Sequence, residues 1–212
     1  MGEVVLYDYW RSSASYRVRI ALNLKNIEYT TRAIDLLAGQ HKSPDYLIKQ
    51  PQGIVPAIDI DGITLTQSLA IIEYLDETRP GSPLMPVDAV ARARVRAISN
   101  AIAMEIHPVC NLSVVKHMES LAGGGDETKI KWMQKYIRSG LLGVEAYLVD
   151  VKTGQYCHGD NPTMADCCLI PQLYNANRWG AEYNDLEAIC AIEQACNELA
   201  AFQSARPENN KP

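Results

Sequence analysis

The chain has 212 residues, 47% of them hydrophobic and 21% charged, the balance of one or two folded domains with ample core. A net charge of −5 lacks the basic excess of a nucleic-acid-binding protein, and no apolar run approaches the ~18 residues of a membrane span. The opening M-G-E-V-V-L shows neither a basic nor an apolar signal-peptide region, and Leu6 stands where a myristoylation site needs Ser or Thr. Six cysteines, all between Cys110 and Cys196, are expected as reduced, packed thiols in a cytoplasmic protein.

Along the first 83 residues, strand-like and helix-like segments alternate, which predicts an α/β unit. Val4–Tyr7 reads as a strand and Ser13–Lys25 as a helix. Glu28–Ala33 carries the β-forming Tyr29, Thr30 and Thr31. Pro44 and Pro51 fence a short helix over Asp45–Ile48. Ala57–Ile60 and Ile63–Thr66 flank Asp61-Gly62, a strong hairpin signal, and Ser68–Glu77 reads as a helix opened by a serine cap. Three prolines and a glycine in Arg79–Asp88 predict a linker. Beyond it strand signals nearly vanish, so 89–212 is expected to be an all-helical second domain. Its segments are Ala89–Met118, with a break near His107 caused by Pro108, then Thr128–Val149, Thr163–Asn177 and Leu186–Phe202, ending in a frayed Ser204–Pro212.

The most informative stretch is R-S-S-A-S-Y-R-V-R-I-A-L, which sets Ser12, Ser13 and Ser15 at a helix start where N–H groups lack partners and the dipole is positive. Such a place stabilises a carboxylate, a phosphate or a thiolate. Position 14 is alanine, so a thiolate working here must arrive with a ligand. Taken alone, the cluster reads as capping residues beside surface arginines. Two further features move it toward a binding site. A proline after Val55 is able to take the cis form, leaving the Val55 peptide groups to pair with an extended ligand. Gln67 and Ser68 open a second helix with an amide, a hydroxyl and free N–H groups suited to a carboxylate. Together they describe a site for a short peptide carrying a thiol and a carboxylate.

These runs, with Q-S-L-A-I-I-E-Y-L, N-L-S-V at Asn111–Val114, T-M-A-D-C-C-L-I-P-Q at Thr163–Gln172 and N-A-N-R-W at Asn175–Trp179, resemble the zeta-class glutathione S-transferases, whose founding activity is maleylacetoacetate isomerase. The likeness runs from Val5 to about Phe202. It implies a thioredoxin-like N-terminal domain, an all-α C-terminal domain and a homodimer using glutathione on a small acidic substrate. Carried over by position, Ser12, Ser13, Ala14, Ser15, Tyr16, Arg17, His41, Val55, Gln67, Ser68, His107, Asn111, Leu112 and Ser113 are implied to contact glutathione. Ser12 or Ser13 would donate to the thiolate, Gln67 and Ser68 would hold the γ-glutamyl carboxylate, and Arg11 and Arg178 would face the acidic co-substrate. Ala14 replaces a cysteine common in relatives, and His41 and His107 stand where glutamine occurs in relatives.

The chemistry suits these residue types. Turning a cis carbon–carbon double bond to trans requires making it single for a moment, which a thiolate achieves by adding to it and leaving again. A helix N-terminus with hydroxyl donors lowers a thiol pKa from ~8.5 by one or more units. Arginines match carboxylates bidentately, and Arg11, Arg17 and Arg19 would make the rim locally basic and attractive to a dianion. Thr163-x-x-Asp166 reads as a structural capping box. His107 and Cys110 have no second ligand pair for a metal, Gly123-Gly124-Gly125 lacks the Lys-Ser/Thr of a phosphate loop, and no C-x-x-C exists for disulfide exchange. Three functions compete: isomerisation of maleylacetoacetate, the same site acting on maleylpyruvate or an α-halo acid, and a catalytically idle binding module.

Overall fold

Sheet formation begins with Val5–Asp8 (β1), a run of buried residues whose neighbours come from both directions along the chain. The computed structural model describes residues 2–212, and in it β1 pairs in parallel with Thr30–Ala33 (β2) and antiparallel with Ala57–Ile60 (β3). Ile63–Thr66 (β4) completes a four-stranded sheet in the order β2-β1-β3-β4. Asp61 and Gly62 turn the β3–β4 hairpin with φ of 53° and 79°, the left-handed geometry that a two-residue turn of Asp-Gly favours. Three helices accompany this sheet: Ser13–Leu24 (α1), Pro44–Lys49 (α2) and Ser68–Thr78 (α3). Fully buried Leu6, Ile20, Leu22, Ile58, Ile72 and Leu75 supply the core, each contributing about 1.5–3 kcal/mol by leaving water.

The second set of elements is helical. Ala89–Asn100 (α4) runs on into a π-helical turn, Ala101–Ile106, before Leu112–Ala122 (α5), Gly125–Leu148 (α6), Met164–Trp179 (α7) and Glu187–Glu198 (α8). The break expected near His107 begins earlier, as the wide turn. Ile106 at its end packs against Gly140, where a Cβ would lie only 2.2 Å from Ile106 Cγ1. Arg94 on α4 ties down the loop before α7, donating to the carbonyls of Tyr147 and Cys157 and to Thr153 Oγ1. Among the described residues no helix is long and apolar enough to cross a membrane.

The chain divides into two compact units, residues 2–85 together with Glu198–Pro212, and Pro86–Asn197. This corrects the expected extent of the second domain over 89–212. The last residues are ordered on the first unit: Ala200–Ala205 (α9) packs on α1, where Asn23 Nδ2 donates to Ala201 O and Arg19 Nε to Ala205 O. Phe202, the chain's sole phenylalanine, is fully buried there, and a 3₁₀ turn over Pro207–Asn210 follows. The frayed end expected over Ser204–Pro212 is instead ordered, with Ala205 and Pro207 buried.

Candidate active site

The start of α1 is set by Ser12, its N-cap residue, whose extended backbone (φ −67°, ψ 121°) leaves the helix and whose Oγ accepts the Ser15 N–H at 3.2 Å. No acidic side chain occupies the first turn, so the positive pole of the helix is uncompensated from within. Ser12 and Ala14 are half-buried and Ser13 nearly buried. Ser15 and Tyr16 are buried, and Ser15 Oγ has no hydrogen-bond partner among the described residues. Of the three hydroxyls read from the sequence, Ser12 is therefore the accessible one.

Three arginines were expected to make this rim basic, and two of them do something else. Arg19 is fully buried; its Nη1 meets both oxygens of Asp8 at 2.7–2.8 Å, while Nη2 donates to Trp10 O. Its charge is neutralised inside the fold and lends the rim nothing, because a buried guanidinium requires such a partner. Arg17, 2% exposed, turns from α1 toward α3 and donates from Nη1 to Ser68 Oγ at 3.2 Å. Arg11 alone of the three is half-exposed; its guanidinium lies 4.9 Å from the centre of the Trp10 ring and donates from Nη2 to Tyr9 Oη.

At α3 the expected serine cap is displaced by one residue. Gln67 is the N-cap, with φ 68° and ψ 113° and no side-chain capping bond, and Ser68 is the first helical residue. A glutamine held at positive φ costs on the order of 1–3 kcal/mol, strain of a kind that clusters at ligand sites. Its Nε2 donates to Gln52 Oε1 at 2.7 Å, and the Gln52 N–H donates to Oε1 of the buried Gln50. Neither Gln50 nor Gln52 was picked out from the sequence; the polar Q-P-Q-G run beside Val55-Pro56 was the available signal. Gly53, at φ 60°, lets this loop approach closely, since a Cβ there would lie 2.7 Å from the His41 carbonyl. His41 follows Gln40 in a short 3₁₀ turn, with a buried Nδ1 that has no hydrogen-bond partner among the described residues. Burial, then the neighbouring Lys42, holds its pKa below the usual imidazole value. The Val55-Pro56 peptide is cis, and Val55 is buried just ahead of β3.

The remaining candidates belong to the second unit. Asn111 caps α5, its Oδ1 accepting from Ser113 N and Oγ at 3.1 Å, and Leu112 and Ser113 are exposed. The half-buried His107 lies just past the π-helical turn. Arg178 is exposed in the last turn of α7 with its guanidinium 4.9 Å from the Trp179 ring centre. All six cysteines are free thiols in this unit, and burial pushes Cys110 up to about 11. Among the described residues no cluster of His, Cys, Asp and Glu could hold a metal ion.

A thioredoxin-like sheet unit combined with a helical remainder is the glutathione transferase fold, and residues 2–77 match the family model "Glutathione S-transferase, N-terminal domain". The maleylacetoacetate isomerase of Rhizobium meliloti (strain 1021) is 55% identical over 211 residues, covering 100% of this chain and 99% of that protein. The holo structure of a maleylpyruvate isomerase, a bacterial zeta-class glutathione S-transferase, superposes with a TM-score of 0.93 at 39% identity, covering 97% of both chains. The maleylacetoacetate isomerase of Methylobacterium extorquens AM1, solved with malonate and glutathione, also gives 0.93, at 38% identity over 98% of both chains. The chain belongs to the zeta-class glutathione S-transferase and maleylacetoacetate isomerase family.

Proposed function

We propose that this protein is a glutathione-dependent cis–trans isomerase that converts maleylacetoacetate to fumarylacetoacetate. The observation that carries it is the pair of helix starts in the first unit, α1 and α3, neither of which has an acidic residue in its first turn. Both suit anions, and the unit holding them has no cysteine of its own. Glutathione fits that arrangement chemically: when bound, it supplies the thiolate that adds to the alkene and leaves after rotation.

The protein's own groups bind, orient and polarise. Ser12, with the N–H groups of the first turn of α1, holds the sulfur in its ionised form; Ser13 is the alternative donor. Ser68 and Gln67 take the γ-glutamyl carboxylate, Val55 pairs with the cysteinyl backbone, and His41 contributes a further contact. Ala14 and Ser15 to Arg17 shape the start of α1, with the buried members acting through packing and bonding rather than by touch. The family likeness adds His107 and Asn111 to Ser113 as further glutathione contacts. Arg11 and Arg178 receive the carboxylates of the acidic substrate, since a guanidinium fork matches them. The family likeness supports a homodimer, and six unbridged cysteines support a cytoplasmic location.

The direct test is turnover of maleylacetoacetate with and without glutathione; no rate above background in its presence would remove the proposal. Maleylpyruvate is a second substrate reading, favoured by the 39% identity to a maleylpyruvate isomerase, and relative kcat/KM on the two acids separates them.

A further inference from the structure

A serine hydroxyl has one hydrogen to give and two lone pairs to offer, so what it presents to a ligand depends on its other neighbours. Ser68 is 6% exposed and its Oγ accepts from Arg17 Nη1 at 3.2 Å. A guanidinium has no acceptor, so this contact can only be a donation into the serine oxygen. The Ser68 hydroxyl donates to no other group among the described residues. The hydroxyl hydrogen is thereby committed outward. It lies at a helix start with no acidic residue in the first turn and no side-chain cap from Gln67. Arg17 itself is 2% exposed, and a cation one side chain behind the hydroxyl acts there through little water.

We propose that Arg17 is a positioning residue: by donating into Ser68 Oγ it fixes that hydroxyl as a donor, and the Arg17–Ser68 pair makes the start of α3 select a ligand carboxylate. The proposal rests on the glutathione reading above and refines it. The implied role of Arg17 as a direct contact is replaced by one exerted through Ser68. Its consequence is discrimination: a ligand differing only by loss of the γ-glutamyl carboxylate is penalised because the Ser68 hydroxyl, held as a donor by Arg17, loses its acceptor.

The test uses the full-length protein, isothermal titration calorimetry and two peptides, glutathione and 4-aminobutyryl-cysteinylglycine, which keeps the amine and lacks only that carboxylate. The wild type is expected to prefer glutathione by about ten- to a hundredfold, the size of a charged hydrogen bond. Arg17→Met and Ser68→Ala should each lower that ratio severalfold while leaving the Kd of the decarboxylated peptide near the wild-type value. The double variant should discriminate no worse than either single, as expected for two residues acting as one unit. Arg17→Lys, which keeps a donor, should recover part of the ratio. Unfolding midpoints are recorded for every variant, with Arg17→Leu as a replacement should the methionine variant not fold. A wild-type ratio retained in the Arg17 variants, or equal weakening of both peptides, overturns the inference alone. Failure of the wild type to bind glutathione overturns the underlying reading as well.

Discussion

The start of α7 in the second unit and the starts of α1 and α3 in the first are built from similar residues, hydroxyls and short polar groups at the first turn. At α7 every such group is used internally. Asp166, fully buried, accepts from the N–H and hydroxyl of Thr163 at 2.7 and 2.9 Å and from Cys157 N–H at 2.8 Å, while Thr163 Oγ1 caps Ala165 N–H. The acid that the helix pole attracts is part of the chain. At α1 and α3 no acid is built in, the Gln67 side chain donates to Gln52 rather than capping its own helix, and Ser68 is backed by a cation. A polar helix start stabilises the fold where its anion is covalently supplied, and is available to a guest where it is not. Changes in the closed arrangements should therefore cost stability and spare binding, and changes in the open ones should cost binding more than stability.

The largest effect is expected in another closed arrangement, the Asp8–Arg19 pair. Asp8→Ala leaves a buried guanidinium without its counter-charge and should lower unfolding free energy by about 3–5 kcal/mol in urea titrations. A loss under about 1 kcal/mol would mean that Arg19 is not held as described. Next, Asp166→Ala removes the acceptor of the α7 box and should cost about 2–3 kcal/mol, with glutathione affinity of the folded protein unchanged. Weakened glutathione binding in that variant would blur the contrast between closed and open starts.

On the open side, Ser12→Ala should lose about 1 kcal/mol of stability as a cap while kcat/KM falls ~10²-fold, as for removal of one preorganised donor. Normal activity would transfer the sulfur-facing role to Ser13. The smallest effect concerns pH. His158 lies beside Arg94 in the loop before α7, and burial, then Arg94 and Lys152, hold its pKa below the usual value. The unfolded chain then takes up this proton at higher pH than the folded one, so the stability it contributes is present above about pH 6.5 and declines as pH falls from there toward the lower folded value. Thermal midpoints should drop between about pH 7.5 and about pH 5.5, and His158→Gln should flatten part of that slope. An unchanged slope would contradict the half-buried placement of His158 beside Arg94.

The elements that local chemistry specifies were legible from sequence: the Ser12 cap, the Asp61-Gly62 hairpin and the Thr163–Asp166 box all stand where their residues direct them. What local patterning could not show is where a side chain ends up once the sheet forms. Arg19 reads as one of three rim arginines, yet its partner Asp8 comes from β1 and its other acceptors from Trp10 and α9. Ser68 reads as a cap because serine commonly is one, but the chain leaves the helix one residue earlier, at a glutamine with positive φ. The π-helical turn at Ala101–Ile106 is hidden because one wider turn barely disturbs an apolar period, and the room for it is made by Gly140 on another helix. Tail residues lacking strong helical pattern are ordered by Phe202 and by bonds to α1, which are long-range effects.

The most direct measurement is the ionisation of the glutathione thiol on the protein, followed by the ultraviolet absorbance of the thiolate as pH is raised. In the wild type the bound thiol should titrate at least one unit below the ~8.5 of a free thiol, and in Ser12→Ala it should move back toward that value. A bound thiol that titrates like free glutathione, with or without Ser12, would contradict the claim that the start of α1 ionises a visiting sulfur.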